Sequence, residues 1–363
     1  MFETPWTNEL DLAQPTSVSN IRITTDEALS KWRKQANDGT RLHIAVIGET
    51  PMKSLLANRN GRHGELIVGA ITLTELDKAL AETDNLEGED LEQAIPETYR
   101  QFAHVFSHQE ASRLPDHGPH DHHIRLKEGF SPPYRRLYSL SKPEMIELRK
   151  FLDEYMTKGF IRTSKSPAAS PILFVKKPGT NALRLCVDYR KLNDGTIKNR
   201  YPVPLARDLM NQLSKAKIFT TLDIRGAYHG LRIAEGDEWK AAFRTHYGLY
   251  EPLVMWEGLT NAPADFQAFI NDILKPCLGV STAAFFDDLL IFSENEDDHV
   301  HHVQEVLEIL SRHGVHLRLG KCNFHTIKTK YLGFIISTDS ITMDPRKLAE
   351  IQDCDEPTTV KEV

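Results

Sequence analysis

Two aspartates, Asp287 and Asp288, stand side by side inside an apolar run from Ala283 to Phe292. Hydrophobes on both flanks favour a half-buried β-hairpin over Thr282–Phe292 with Asp-Asp at its turn. Like charges at close range repel, and the flanking apolar groups lower the local dielectric. The arrangement makes sense if a divalent cation neutralises it. A third carboxylate, Asp223, ends an apolar segment, Ile218–Asp223, which reads as a strand. Three carboxylates around paired Mg²⁺ ions are what two-metal phosphoryl transfer requires. The plainer alternative is a hairpin whose turn happens to be Asp-Asp.

Charge is unevenly divided along the chain. The net charge is -7, yet residues 125–215 hold nineteen Lys and Arg against eight Asp and Glu. A basic stretch ahead of an acidic catalytic one is the footprint of an enzyme acting on a polyanion, although a solvated basic surface has the same composition. Cys186, Cys277, Cys322 and Cys354 show no Cys-x-x-Cys spacing. That argues against a disulfide framework or a zinc ribbon and suits a reducing compartment, so an intracellular location, cytoplasmic or nuclear, is expected. His117, His120, His122 and His123 fall in a Gly/Pro-containing loop without an accompanying ligand set and are read as structural. No apolar run approaches a membrane span.

Residues 1–95 are acidic and carry no recognisable motif, with one helix expected near Thr74–Glu82 and partial disorder elsewhere. Pro-punctuated chain follows. Ser141 then caps a periodic helix that stops at Gly159. Strands are expected at Pro171–Lys176 and Leu183–Asp188, joined by a turn at 177–180, and near Tyr250–Met255, Leu317–Leu319 and Tyr331–Ile336. Helices are expected over Leu205–Ser214, Pro263–Leu274 and Asp298–Gly314. This order implies an α+β domain with an antiparallel sheet, helices on one face, and all three carboxylates at one sheet edge.

Several ordered segments then match a known family. They are Ser-Pro-Ala-Ala-Ser-Pro (166–171), Phe-Val-Lys-Lys-Pro (174–178) and Leu-Arg-Leu-Cys-Val-Asp-Tyr-Arg-Lys-Leu-Asn (183–193). Thr-Ile-Lys-Asn-Arg-Tyr-Pro-Val-Pro (196–204), Leu-Asp-Ile-Arg-Gly-Ala-Tyr-His (222–229) and Gly-Leu-Thr-Asn-Ala-Pro-Ala-Asp-Phe-Gln (258–267) continue the series. Phe-Phe-Asp-Asp (285–288), Leu-Gly-Lys-Cys-Asn-Phe (319–324) and Tyr-Leu-Gly-Phe-Ile-Ile-Ser (331–337) complete it. From about Leu114 onward the chain resembles the reverse transcriptase of gypsy-type long-terminal-repeat retrotransposons.

The resemblance implies a right-hand polymerase fold, with fingers in 96–215, palm in 216–337 and a truncated thumb beginning at 338–363. It implies DNA synthesis on an RNA or DNA template-primer duplex from deoxynucleoside triphosphates. Asp223, Asp287 and Asp288 would hold two Mg²⁺ ions, with Mn²⁺ as an alternative. Lys176, Lys177 and Arg184 would grip the triphosphate, Tyr228 would exclude a ribose 2′-hydroxyl, and Glu257 and Gln267 would border the nucleotide. Lys321 would stand near the leaving pyrophosphate as an acid, and Tyr331, Leu332 and Gly333 would grip the primer end.

Two departures stand out. The family has Met-Pro-Phe-Gly where this chain has Met255-Trp256-Glu257-Gly258. Trp256 replaces a proline that shapes a bend. Glu257 brings a carboxylate toward the nucleotide, and a like-charge pair at about 6 Å costs roughly 3 kcal/mol at an effective dielectric near 20. Phe285 replaces the family's usual Tyr, a smaller change. The thumb and ribonuclease H functions are expected to come from self-association or a partner. A nucleic-acid-binding remnant without catalysis is the main alternative to a working polymerase. A two-metal nuclease is a further one, and it leaves Tyr228 and Arg184 unexplained.

Overall fold

The computed structural model describes residues 86–176, 182–213 and 215–345. The helix expected at Thr74–Glu82, the turn at 177–180 and most of the expected thumb start therefore lie outside the described residues.

The largest α-helices among the described residues are α1 (Lys142–Thr157), α2 (Ala262–Ile273) and α3 (Glu296–Arg312). Each start is chemically marked. Ser141 and Glu144 form a capping box ahead of α1, and Pro263 sits in the first turn of α2, where its missing N–H is not needed. Asn295 accepts the amide of Asp298 at 2.9 Å ahead of α3. Glu296 and Asp297 belong to the first turn of α3, so the helix begins earlier than the sequence suggested, with three acidic residues at its positive end. At the far end of α1, Gly159 takes a left-handed φ of 69° and stops the helix as expected.

Strands β1 (Ile161–Thr163), β2 (Ser170–Lys176), β3 (Leu183–Val187), β5 (Phe243–Thr245) and β6 (Gly248–Pro252) make a five-stranded sheet in the order β1-β6-β5-β2-β3. Only its β2–β5 pair is parallel. A four-stranded antiparallel sheet, ordered β7-β8-β4-β9, joins β4 (Ile218–Asp223), β7 (Thr282–Phe285), β8 (Asp288–Ser293) and β9 (Asn323–Thr326). Strands β10 (Lys328–Tyr331), β11 (Phe334–Ser337) and β12 (Ile341–Met343) form a third, antiparallel sheet. The mixed α+β class with predominantly antiparallel sheets matches the expectation.

Two expected strands change form. Tyr331–Ile336 is a hairpin, because Leu332 and Gly333 both take positive φ, 52° and 78°, and turn the chain in two residues. Leu317–Leu319 is a single bridge from Leu317 to Ile224, followed by a tight turn over Leu319–Lys321. Upstream, Leu91 and Ile95 are buried in the main core, so that core begins before position 96.

Alternation along β4 and β8 sorts residues into two layers. On one side Leu222, Leu289 and Ile291 join the main core with Val303, Val306, Leu307 and Leu310 of α3. On the other, Phe219, Leu290 and Phe292 pack with Tyr331 and Ile336 in a smaller core beneath the β10–β11 hairpin. Asp223 and Asp288 have the parity of this second layer and cap its end. The four loop histidines each face a different aspartate: His117 Asp121, His120 Asp272, His122 Asp265 and His123 Asp237.

Candidate active site

Asp223 is the last residue of β4, and its register partner on β8 is Asp288. Side chains of directly opposed residues leave the sheet on the same face about 5 Å apart, a placement that destabilises two like charges. The link between Asp287 and Asp288 is tighter than an Asp-Asp turn. The two turn residues are Phe286 and Asp287, while Asp288 already pairs with Phe285 in the ladder. The amide of Ile224 donates to the Asp287 carbonyl at 2.9 Å and ties the end of β4 to that turn.

Crowding has a measurable consequence. The Asp288 carboxyl is pushed up from its ordinary 3.8 to about 6 by partial desolvation against the sheet, then by the charges of Asp287 and Asp223, with Lys321 acting the other way. Asp288 keeps an exposed outer side. Positive groups stand on the Asp223 side. Arg318 Nε is 3.4 Å from Asp223 Oδ1 and Lys321 Nζ is 3.8 Å from its Oδ2. The segment 316–318 runs beside β4, because Arg318 N donates to the Asp223 carbonyl at 2.9 Å and Arg225 N to that of His316 at 2.7 Å. Lys321 was anticipated from the sequence and Arg318 was not. The signal for Arg318 was faint, a basic residue three positions ahead of Lys321.

The donor set suits a hard, oxygen-seeking cation. Among the described residues no three His, Cys, Asp or Glu side chains converge into a metal cage. Mg²⁺ is commonly held by one or two carboxylates, with water and ligand oxygens completing its shell, and the carboxylates of the opposed Asp223 and Asp288 are of that chemical kind.

Tyr228 lies in the turn after β4 and rests edge-on against Phe266 of α2, with ring centroids 5.9 Å apart. Burial raises the pKa of its hydroxyl, and the charges of Asp287 and Glu257 raise it further. Arg184 projects from β3 and donates to a Glu257 carboxylate oxygen. Lys176 does not join it. Lys176 pairs with Leu183 and Arg184 with Val175, so strand alternation sends the two side chains to opposite faces. Lys177 lies outside the described residues.

Gln267 corrects its expected role. It is fully enclosed on α2, and its Oε1 accepts the Phe286 amide at 2.8 Å while its Nε2 donates to Asn271 Oδ1 at 2.8 Å and approaches the Ala284 carbonyl at 3.4 Å. Phe286 has a φ of 51°, a conformation that usually selects glycine. Gln267 is thus a peg that fixes the carboxylate-bearing turn from behind, with no open face toward a nucleotide. Tyr331 is likewise buried in the smaller core, its hydroxyl 3.5 Å from the Asp288 carbonyl. It seats the hairpin on β8 and leaves Leu332 and Gly333 as the partly exposed tip.

Trp256 also departs from expectation. It is 4% exposed and packs with Phe151 and Tyr155 of α1, with His229 and with Phe243 at ring separations of 5.1–6.1 Å. The indole fills an aromatic cage where a proline was expected to shape a bend.

Residues 175–336 match the family model described as "Reverse transcriptase (RNA-dependent DNA polymerase)". The Retrovirus-related Pol polyprotein from transposon gypsy of Drosophila melanogaster is 39% identical over 236 residues, covering 62% of this chain and 23% of that protein. The chain carries a reverse transcriptase domain. The Transposon Tf2-3 polyprotein of Schizosaccharomyces pombe is 35% identical over 275 residues, 75% of this chain and 20% of its own length. The chain thus spans between a fifth and a quarter of these relatives. In fold, the reverse transcriptase domain resembles the foamy viral protease-reverse transcriptase, solved with double-stranded DNA and with an RNA/DNA hybrid. The TM-scores are 0.64 and 0.61, each at 21% identity and over 84% and 83% of this chain. These likenesses show a right-hand polymerase fold of the fingers and palm kind.

Proposed function

We propose that this reverse transcriptase domain adds deoxynucleotides to a primer 3′-hydroxyl as directed by an RNA or DNA template. The observation that carries the proposal is the opposition of Asp223 and Asp288 across β4 and β8 with Asp287 at the adjoining turn, a carboxylate set short of positive charge. Template-primer duplexes are the partners in view, in keeping with the hybrid and duplex DNA bound by the foamy viral enzyme.

Asp223, Asp287 and Asp288 would hold two Mg²⁺ ions. When bound, Mg²⁺ supplies the Lewis acidity that activates a primer hydroxyl and offsets the charge of the leaving pyrophosphate. Tyr228, in the turn that follows Asp223, would meet a ribose 2′-hydroxyl and favour deoxynucleotides. Arg184 offers a planar fork to phosphate oxygens. Lys321, beside Asp223, would place its ammonium at the pyrophosphate and donate a proton as that group departs. Leu332 and Gly333, at the tip of a hairpin seated on β8, would hold the primer end. The thumb and ribonuclease H functions would come from further chain, a second copy or a partner.

A second reading, a binding module without catalysis, draws on the Arg184–Glu257 pair, which engages a phosphate-binding cation. Single-nucleotide extension of an oligo(dT) primer on poly(rA) with Mg²⁺, beside an Asp287→Asn/Asp288→Asn control, separates the two. Extension lost in the control supports the polymerase. Duplex binding without extension in either protein sinks it.

A further inference from the structure

Glu257 is held in place on both sides. Trp256 before it is locked in the aromatic cage, and the Gly258 carbonyl after it accepts Asn193 Nδ2 at 2.8 Å. Gly258 itself has a φ of 90°, which fixes the direction in which the chain leaves. The carboxylate between these anchors meets the guanidinium of Arg184 and engages it. Both side chains remain about half exposed, at 52% for Arg184 and 48% for Glu257, so neither is sealed from an incoming solute. Lys176, on the opposite face of the β2–β3 hairpin, cannot substitute for Arg184 there.

We propose that Glu257 is a built-in stand-in for nucleotide phosphate: it occupies Arg184 in the free protein and must be displaced before a nucleoside triphosphate can bind. The identity of the displacing ligand rests on the polymerase reading above. The displacement rests on the ion pair alone. A tethered carboxylate competes at an effective concentration far above that of a dilute ligand. Once displaced, it still stands as a like charge beside the phosphates. Nucleotide affinity is therefore set by Glu257, and the catalytic carboxylates are untouched by it. A weakly charged ligand loses this competition, whereas a triphosphate brings enough charge to win it. The device acts on nucleotide entry, so it raises the nucleotide KM and leaves kcat near its value at saturation.

The test uses the full chain and inorganic triphosphate, titrated by calorimetry without primer, template or turnover. The proteins are the wild type, Glu257→Gln, Arg184→Gln and the double variant. An exposed pair holds its partner by a factor of about two to five, and the residual repulsion adds a similar factor, so Glu257→Gln is expected to bind about tenfold more tightly. With Arg184→Gln already present the gain should shrink to the repulsion factor alone, about two- to fivefold, and the difference is the coupling that a double-mutant cycle measures. An unchanged affinity in Glu257→Gln overturns the proposal. So does a gain that persists undiminished without Arg184, since that would be a bulk charge effect, and so does failure of all four proteins to bind. Primer extension then addresses the polymerase reading separately, with a lowered dTTP KM and a steady kcat expected for Glu257→Gln. A triphosphate gain without any extension would leave the displacement standing and remove the polymerase reading.

Discussion

The two charged regions of this domain solve opposite problems. At the end of the β4–β8 ladder three carboxylates are set close together, with Arg318 and Lys321 on one flank. At the β3 side of the nucleotide region, by contrast, Arg184 and Glu257 already neutralise each other. One region waits for positive charge from outside and the other has its charge answered from within. The difference teaches where ligand charge can enter at little cost: a cation is drawn to the carboxylates, whereas an anion must first displace Glu257.

The largest test of this contrast removes one carboxylate. Asp288→Asn should lower nucleotide incorporation by about a thousandfold or more, because several kcal/mol of transition-state charge stabilisation is lost at 1.36 kcal/mol per tenfold. The same change should raise the melting temperature in metal-free buffer by relieving the Asp223–Asp288 opposition. A variant that loses both activity and stability would mean that the cluster is a structural feature and would break the comparison.

The next effects fall on the scaffolding of each region. Trp256→Ala should cost about 3–5 kcal/mol in urea unfolding, since it empties an aromatic cage. A loss below about 1 kcal/mol would show that Glu257 is not anchored through its neighbour. Gln267→Leu should cost about 1–3 kcal/mol by orphaning the Phe286 amide. It should weaken incorporation more than duplex binding, because the turn it supports carries Asp287.

Proton linkage sharpens the comparison further. Asp288 has a raised value of about 6 in the folded protein, so the folded state binds a proton there that the unfolded chain has released. Its stabilising contribution is full below the unfolded value and is lost as pH rises through about 6. Mg²⁺ requires the carboxylate form, so the melting-temperature gain on adding Mg²⁺ should be larger near pH 7.5 than near pH 5. Equal gains would separate the metal from Asp288. The smallest effect belongs to the neutralised region. Glu257→Gln should change folding stability by less than about 1 kcal/mol in the same melts, as expected of an exposed pair.

Much of the catalytic face was legible in the residues themselves. An apolar run interrupted by Asp-Asp and a strand ending in Asp223 sufficed to place three carboxylates at one sheet edge, because strand periodicity is strict. The helices were legible through Ser141, Pro263 and the periodic apolar faces. The short strands β1, β5, β9 and β12 were missed, and of β10 only Tyr331 was expected, since three or four residues carry too little alternation to stand out. Gln267 and Tyr331 were assigned outward roles because burial depends on what packs over a residue, and their own motifs do not encode that. Trp256 and Glu257 were expected to act together as a disturbance. Adjacent residues on a bent segment point in different directions, and only the three-dimensional arrangement shows that one enters the core while the other meets Arg184.

The smaller core joins elements that are far apart in the chain. Phe219, Leu290 and Phe292 of β4 and β8 share it with Tyr331 and Ile336 of the β10–β11 hairpin, and with Leu209, Leu213, Ala216 and Ala283. Because the strands and the hairpin bury their apolar side chains in one shared layer, the carboxylate turn and the hairpin should open and close as a single cooperative unit. Hydrogen exchange would report that unit as one shared rate for amides in β8 and β11. In time as well as in space, the place where a primer would be held and the place where it would be extended are then assembled together.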